Sequence, residues 1–446
     1  MKIEKHWVIA FIIICVIALL ALLDDGTENI IRQDFLSESN INSADTAWIL
    51  TASGLVLLMT PGLSFFYGGM VGRKNIISTM LQSFISLGVV SILWVIVGFS
   101  LSFGSSIGIE INGIKYGIIG DPTEYLFFNG VSTLPHKNLA STIPFLLFAL
   151  FQMKFAVITP ALITGSFAER VRFISYLLFI VLFSLLIYTP LCHMIWYPDG
   201  LLNKYFGVKD FAGGTVVHMS AGFAALAGAL VLGRRKRPHH EPSNTAFVLL
   251  GTGMLWFGWF GFNAGSALAA NSTAALAFAT TTIASAAAMI TWIFFDRING
   301  RKVSALGACI GAVVGLVAIT PAAGFVSIRE SLFIGFITAI VSNTMVNWKR
   351  LKQIDDTLDV FACHGIGGIM GMILTAIFAH GENASLLHGG PIVFLHHMAA
   401  LLLVSIFSFF GSLAVYKLSN AIIPLRVSEE SEKIGLDLSQ HDEQLC

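Results

Sequence analysis

Two stretches, Asp210-Phe-Ala-Gly-Gly-Thr-Val-Val-His218-Met-Ser-Ala-Gly222 and Asp359-Val-Phe-Ala-Cys-His364-Gly-Ile-Gly-Gly368, decide how this chain is read. Each places a histidine inside an apolar run and rings it with glycine. An ionisable side chain in hydrocarbon costs roughly 2.5 kcal/mol or more unless it is paired or lines a cavity. At helical spacing, Gly214, His218 and Gly222 share one face, and His364, Gly368 and Gly371 share another. Faces of small residues pack helix against helix in membranes. Both imidazoles are therefore expected to point into a bundle and away from lipid.

Composition agrees. The 446 residues are 55% hydrophobic and 12% charged, against about 25% charged in soluble domains. Mean hydropathy is +0.79. The chain reads as an integral membrane protein. Its net charge of zero leaves no basic field for nucleic acid. Cys15, Cys192, Cys309, Cys363 and Cys446 show no CxxC or CxxH spacing, so they imply neither a disulfide framework nor a zinc site. Cys363 beside His364 could be half of a metal site or a small polarisable filler.

A span needs about 20 mainly apolar residues. Eleven such runs follow residue 45, at about 46–70, 76–101, 142–166, 173–193, 212–232, 245–265, 274–295, 303–320, 331–347, 359–380 and 393–418. Basic residues fall in alternate loops: Arg73 and Lys74; Arg170 and Arg172; Arg234 to Arg237; Arg297, Arg301 and Lys302; Lys349, Arg350 and Lys352. The positive-inside rule makes those loops cytoplasmic. The first of the eleven spans then starts outside and the polar tail 419–446 ends inside. Residues 1–24, with an apolar core at 7–23 behind Lys2 and Lys5, read as a signal peptide or a retained anchor. Residues 45–418 form the membrane domain.

The expected fold is all-α, with two five-helix halves and a final helix. The first span of each half carries an aromatic–glycine stretch, Phe65-Phe-Tyr-Gly-Gly69 and Phe260-Gly-Phe-Asn-Ala-Gly265. The last span of each carries an aspartate and a histidine, Asp210 with His218 and Asp359 with His364. Five being odd, the second half runs inverted, which places a substrate site near the midplane between the halves. The two histidines should meet there.

Asp210 to His218 with the run to Gly233-Arg234-Arg235 resembles the ammonium transporter (Amt/Mep/Rh) family, bacterial Amt branch. So do Phe151-Gln-Met-Lys-Phe155 with Ala168-Glu169-Arg170, Gly258-Trp259-Phe-Gly-Phe262-Asn263-Ala-Gly-Ser266, and Asp359-Val-Phe-Ala-Cys-His364-Gly. The match runs in order from about residue 45 to the C terminus. The resemblance implies a non-enzymatic homotrimer in the cytoplasmic (inner) membrane, with one ammonium/ammonia pore per protomer and no cofactor. It makes Ser266, Trp196 and Phe155 an outer ammonium site, and Phe155 and Phe262 stacked gate rings. His218 and His364 become a hydrogen-bonded pair lining the pore, with Asp210 and Trp259 in support.

Each assignment has a plainer competitor. Tryptophan at a span end suits the interface. Phenylalanine is abundant, at 36 residues. Asp210 would serve as a helix N-cap, and Ser266 could bond a carbonyl of its own helix. A symmetric pair of membrane histidines is harder to explain away. Two histidines could also ligate haem b axially. A coupled transporter of organic substrates would want mid-membrane carboxylates, whereas Glu169, Asp210, Asp296 and Asp359 lie near span ends. An ammonium sensor of the same fold is the remaining alternative.

Two further features carry expectations. Lys154 departs from the family pattern, which is apolar or small beside the gate. It either faces the vestibule and repels ammonium or snorkels outward. The tail from Arg426 to His441, with Glu432, Gly435 and Asp437, is polar enough to be a solvated end. It also resembles the family tail that packs on the cytoplasmic face and supports a PII-type signalling protein. Arg426 and the acidic residues would then tie neighbouring protomers.

Overall fold

Backbone groups in hydrocarbon must be satisfied within their own segment, which favours helices. Helices dominate the computed structural model, which describes residues 5–22, 34–236, 238, 241–348 and 353–445. Lys2 and Asp24 of the leading segment, and Arg237, Lys349, Arg350 and Lys352 of the loop charges, lie outside the described residues. In chain order the helices are α1 (Lys5–Ala21), α2 (Ser43–Met70), α3 (Arg73–Phe103), α4 (Phe145–Phe167), α5 (Phe173–Trp196) and α6 (Gly214–Leu232). They continue with α7 (Thr245–Gly265), α8 (Ser272–Ile298), α9 (Ala305–Ile319), α10 (Ile328–Val346), α11 (Phe361–Phe378) and α12 (Pro391–Ile422). Among the described residues, nine of these are long and apolar enough to cross a membrane. The other three are α1, α9 and α10. α9 has 15 residues. α10 carries Arg329 and Glu330 in its first turn and Asn343 in its last, which dilute its hydropathy. The chain is a multi-pass membrane protein.

The expectation of helices alone needs correction between residues 106 and 144. Strands β1 (Ser106–Ile111) and β2 (Ile114–Gly120) form an antiparallel hairpin, and β3 (Pro135–His136) pairs with β4 (Ala140–Pro144). The signal was local. Asn112-Gly113 sits between isoleucines, and both residues adopt positive φ, 54° and 76°, as a type I′ turn requires.

α2 and α7 make the most extensive helix contact. They run antiparallel. A Cβ at Gly261, Gly258, Gly251 or Gly69 would collide respectively with Ala52, with Met59, with Phe66, or with Val248. α6 and α11 cross antiparallel in the same way. A Cβ on Gly222 would lie 2.2 Å from the Gly365 amide nitrogen, so the two backbones touch there. Both helices begin with a π-turn, Gly214–Met219 and Phe361–Gly365, an irregularity frequent at functional sites.

α1 is exposed along almost its whole length; its Trp7 ring stacks on Phe173 at 6.4 Å. At the other terminus, α13 (Glu429–Ile434) and α14 (Leu436–His441) pack on the body. Asp437 accepts bonds from the amides of Ile77 and Ser78 at 3.1 and 2.7 Å. Arg426 has partners within its own chain. It donates to Glu432 at 2.8 Å and to the Leu232 and Arg234 carbonyls at 2.7 Å.

Candidate pore site

His218 and His364 come from two antiparallel helices and meet as expected. Their Nδ1 atoms are 3.3 Å apart, and both rings are buried, at 1% and 3% exposure. One Nδ1 must donate and the other accept, so the two rings cannot both be imidazolium. The pair then presents one Nε2 that accepts and one that donates. The Nε2 of His218 is buried without a protein partner among the described residues. Trp259 lies nearly parallel to the His218 ring at 5.3 Å, and its Nε1 donates to Thr320 Oγ1 at 2.9 Å. That bond fixes the indole that holds the imidazole. Nitrogens in contact leave no plane for a porphyrin, so the haem reading fails on geometry. Cys363 packs among Ala288, Trp292, Val314 and Ala339, as the filler reading requires. Among the described residues no three metal-ligating side chains converge.

Phe262 sits next to His218, with centroids 6.1 Å apart. Phe155 meets Phe262 at 4.3 Å, tilted by 36° rather than stacked face to face. Beyond Phe155 lies a cavity of about 230 Å³, lined by Phe155, Trp196, Ser266, Phe148, Gln152 and Phe211 among others. All three expected ammonium-site residues therefore share one cavity. Trp196 stands edge-on to Phe155 at 5.7 Å. Ser266 Oγ donates to the Phe262 carbonyl at 2.8 Å, so the self-capping reading is correct. That bond uses the hydroxyl hydrogen and leaves the oxygen lone pairs free to accept a donor. A separate small cavity of about 10 Å³ lies beside Tyr67, Val313 and His364.

Lys154 does not line the outer cavity, whose α4 stripe is Phe148, Gln152 and Phe155. One residue along a helix rotates a side chain by about 100°, which turns Lys154 away from that stripe. The snorkelling alternative is the one this geometry supports. Lys154→Met is expected to leave the apparent affinity and rate of ammonium uptake within about twofold of the parent between pH 6 and 9. A clear rise in affinity would place the charge in the vestibule.

Asp210 is a cap, and a saturated one. Its carboxylate accepts from the amides of Gly213, Gly214 and Thr215 at 2.8, 2.7 and 2.8 Å, and from the Thr215 hydroxyl. Its carbonyl accepts from Trp196 Nε1 at 3.1 Å. One residue thus anchors both the start of the His218 helix and the tryptophan of the outer cavity, without lining that cavity. His193, one turn before Trp196, bonds Ser106 Oγ at 2.9 Å and the Ser102 carbonyl at 3.1 Å. It ties the β1–β2 hairpin to the same tryptophan.

The counterpart of Asp210 is Asp356 and not Asp359. Asp356 precedes His364 by the same eight residues that separate Asp210 from His218, and it accepts from the Phe361 amide at 2.7 Å. Asp359 adopts a left-handed conformation at φ 55°. The eight-residue spacing is visible in the sequence, although Asp359 lies closer to the apolar run. Burial pushes the Asp356 carboxyl up to about 6, against opposing bonds from the Phe361 and Val360 amides. The folded chain therefore takes up a proton that an unfolded carboxyl, near 3.8, still lacks. That contribution is full below the unfolded value and is lost as pH rises through about 6. Lowering pH from 7 to 5 should stabilise the parent relative to Asp356→Asn in detergent thermal unfolding. Parallel pH curves for the two would contradict this.

A buried ionic clasp closes the same end. Arg235 joins Glu169 and Asp355, each at 2.8 Å, and Glu169 also accepts from the Gly72 amide at 2.7 Å. Arg170 donates to Thr357 Oγ1 at 2.6 Å and to the Asp355 carbonyl at 2.8 Å. The loops after α2, α4 and α6 are thus fastened to the segment before α11. The sequence marks Glu169 and Arg170 as motif members, as a carboxylate near a span end and as a loop charge, but not as halves of a clasp. Their partners lie 66 to 187 residues away.

The profile of the Ammonium Transporter Family matches residues 47–445. The chain is 43% identical to an ammonium transporter of Aquifex aeolicus over 414 residues, covering 92% of this chain and 95% of that protein. It is 44% identical to one from Bacillus subtilis over 410 residues, covering 90% and 97%. The crystal structure of Saccharomyces cerevisiae Mep2 superposes with a TM-score of 0.80 at 32% identity, covering 88% of this chain and 89% of that one. With the family motifs brought together around a buried histidine pair, the chain belongs to the Ammonium Transporter Family.

Proposed function

We propose that the chain recruits ammonium at the Trp196–Ser266–Phe155 cavity, where the ion gives its proton to vestibule water, and that ammonia, with or without that proton, passes between Phe155 and Phe262 to the histidine pair. The observation that carries this reading is the Nδ1–Nδ1 contact of His218 and His364, directly beneath Phe262. Ammonium and potassium are alike in size and charge, so a plain cation pore would pass both. Ammonium differs in donating hydrogen bonds and in being able to lose a proton. The Ser266 oxygen can accept such a donor, and the faces of Trp196 and Phe155 attract a cation. Past the phenylalanines, a potassium ion finds only rings and two imidazoles in place of its hydration shell. Ammonia can donate to the accepting Nε2 and accept from the donating one. Stopped-flow measurement of internal pH in proteoliposomes under an ammonium gradient tests this. A rate equal to that of empty liposomes would leave ammonium sensing as the function.

The wider architecture follows the same reading. α9 and α10 complete eleven spans, and the antiparallel pairs α2 with α7 and α6 with α11 support two inverted five-helix halves. The alternating basic loops support a start outside and a cytoplasmic tail, in a homotrimer of the cytoplasmic membrane. The docked tail would support a PII-type partner. Its hinge is Gly435, at φ 109°, where a Cβ would lie 2.6 Å from Lys74 Cβ and from the Lys74 carbonyl oxygen. Gly435→Asp is expected to release the tail, lower transport several-fold and weaken PII binding while the trimer persists. Normal flux and normal PII affinity in that variant would show the tail to be inert.

A further inference from the structure

Another cavity lies outside the pore. It holds about 660 Å³ between three segments: the turn after α2 (Gly72 to Asn75), the stretch after α6 (Arg235, Lys236, Pro238, Ser243), and the tail (Glu432, Lys433). Its charges do not cancel. Arg235 is committed to Glu169 and Asp355, and Glu432 to Arg426. Lys74 Nζ donates to the carbonyls of Glu432 and Lys433, which carry no formal charge. Lys236 and Lys433 share one exposed carboxylate, Glu429, at 3.7 and 3.6 Å. Among the described residues, Arg73, Lys74, Lys236 and Lys433 thus supply four cations to one space, and the one carboxylate paired with any of them is the exposed Glu429.

We propose that this cavity binds a phosphate-bearing anion that bridges the tail to the body. Three segments contribute cations from different directions, which suits the several oxygens of a phosphoryl group better than one planar carboxylate. The volume falls in the range of small-ligand sites and accommodates more than one phosphoryl group. The bridging follows from placement. Arg73 and Lys236 stand on the body, while Lys433 stands on the tail. Their mutual repulsion opposes docking until an anion lies between them. An anion that binds only the docked arrangement must in turn favour it. The site lies apart from the pore and does not depend on what the pore carries.

The test uses the full purified chain, delipidated in detergent, titrated with pyrophosphate by calorimetry at fixed ionic strength. Saturable binding is expected. In the double variant R73Q/K236Q it should weaken by roughly tenfold or more, the effect of losing charge-assisted bonds. Pyrophosphate should also slow tryptic cleavage at Lys433 in the parent and not in the double variant. Ammonium flux by the double variant without added anion reports that the pore is intact. Nanodiscs separate the two sources of phosphate. If phosphatidylglycerol, and not phosphatidylcholine, competes with pyrophosphate, the anion is a lipid headgroup; if neither does, it is a soluble phosphate compound. No saturable heat at millimolar pyrophosphate, or equal binding by parent and double variant, overturns the proposal.

Discussion

Alanine in place of His218 or His364 is expected to leave the protein folded and to cost it selective ammonium conduction. Each variant removes one half of the 3.3 Å Nδ1 contact and leaves the surviving ring without its orienting partner. A hydrogen bond that fixes a buried polar group is worth roughly 1 to 3 kcal/mol, or about five- to more than a hundredfold in an equilibrium. The ratio of ammonium to potassium flux should fall by at least about tenfold. The two positions should behave alike, because the helices carrying them enter from opposite ends with the same π-turn. Wild-type rate and selectivity in both single variants would show that the pair is only packing.

Asp210→Ala should have the second large effect, and by a different route. The variant loses an acceptor that serves three amides and a hydroxyl at the start of α6. Loss of an N-cap alone costs about 0.5 to 2 kcal/mol, and the stranded buried donors add about 1 to 3 kcal/mol. The start of α6 should loosen, and Trp196, bonded to the Asp210 carbonyl, should lose its place over Phe155. Expected results are a lower melting temperature in detergent and uptake reduced by more than about tenfold. Asp210→Asn, which keeps an acceptor oxygen, should recover part of both. If Asp210→Ala melted like the parent yet failed to transport, the carboxylate would be acting on the ion and not through the cap.

Much of this site could be read from sequence because its signals are local. Asp210, His218 and the glycines around them lie within one helix and the turn that leads into it, and spacing predicts which helical residues share a face. Phe155, Phe262, Trp196 and Ser266 came from the family resemblance, and spacing could not have chosen two phenylalanines from 36. What was missed falls into two kinds. Asp356 and the Asn112-Gly113 hairpin were legible: one has the same eight-residue offset as Asp210, the other a turn with its own chemistry. The Glu169–Arg235–Asp355 clasp and the Trp259–Thr320 bond were not, because such pairings are fixed by helix packing and leave no trace in the neighbouring residues. The π-turns that begin α6 and α11 belong to the same class. Apolar sequence at helical spacing does not reveal where one turn takes an extra residue.

The most direct test of the paired-histidine pore is current from proteoliposomes on a charged support, with internal pH followed in parallel. Ammonium and potassium pulses are applied in turn to the parent and to the His218→Ala and His364→Ala variants. The expected result is an ammonium-dependent signal in the parent, as current, internal pH change or both, with none from potassium. Selectivity should be lost in either variant. An equal response to both ions in the parent, or no response to either, would contradict the assignment of His218 and His364 as the selective path.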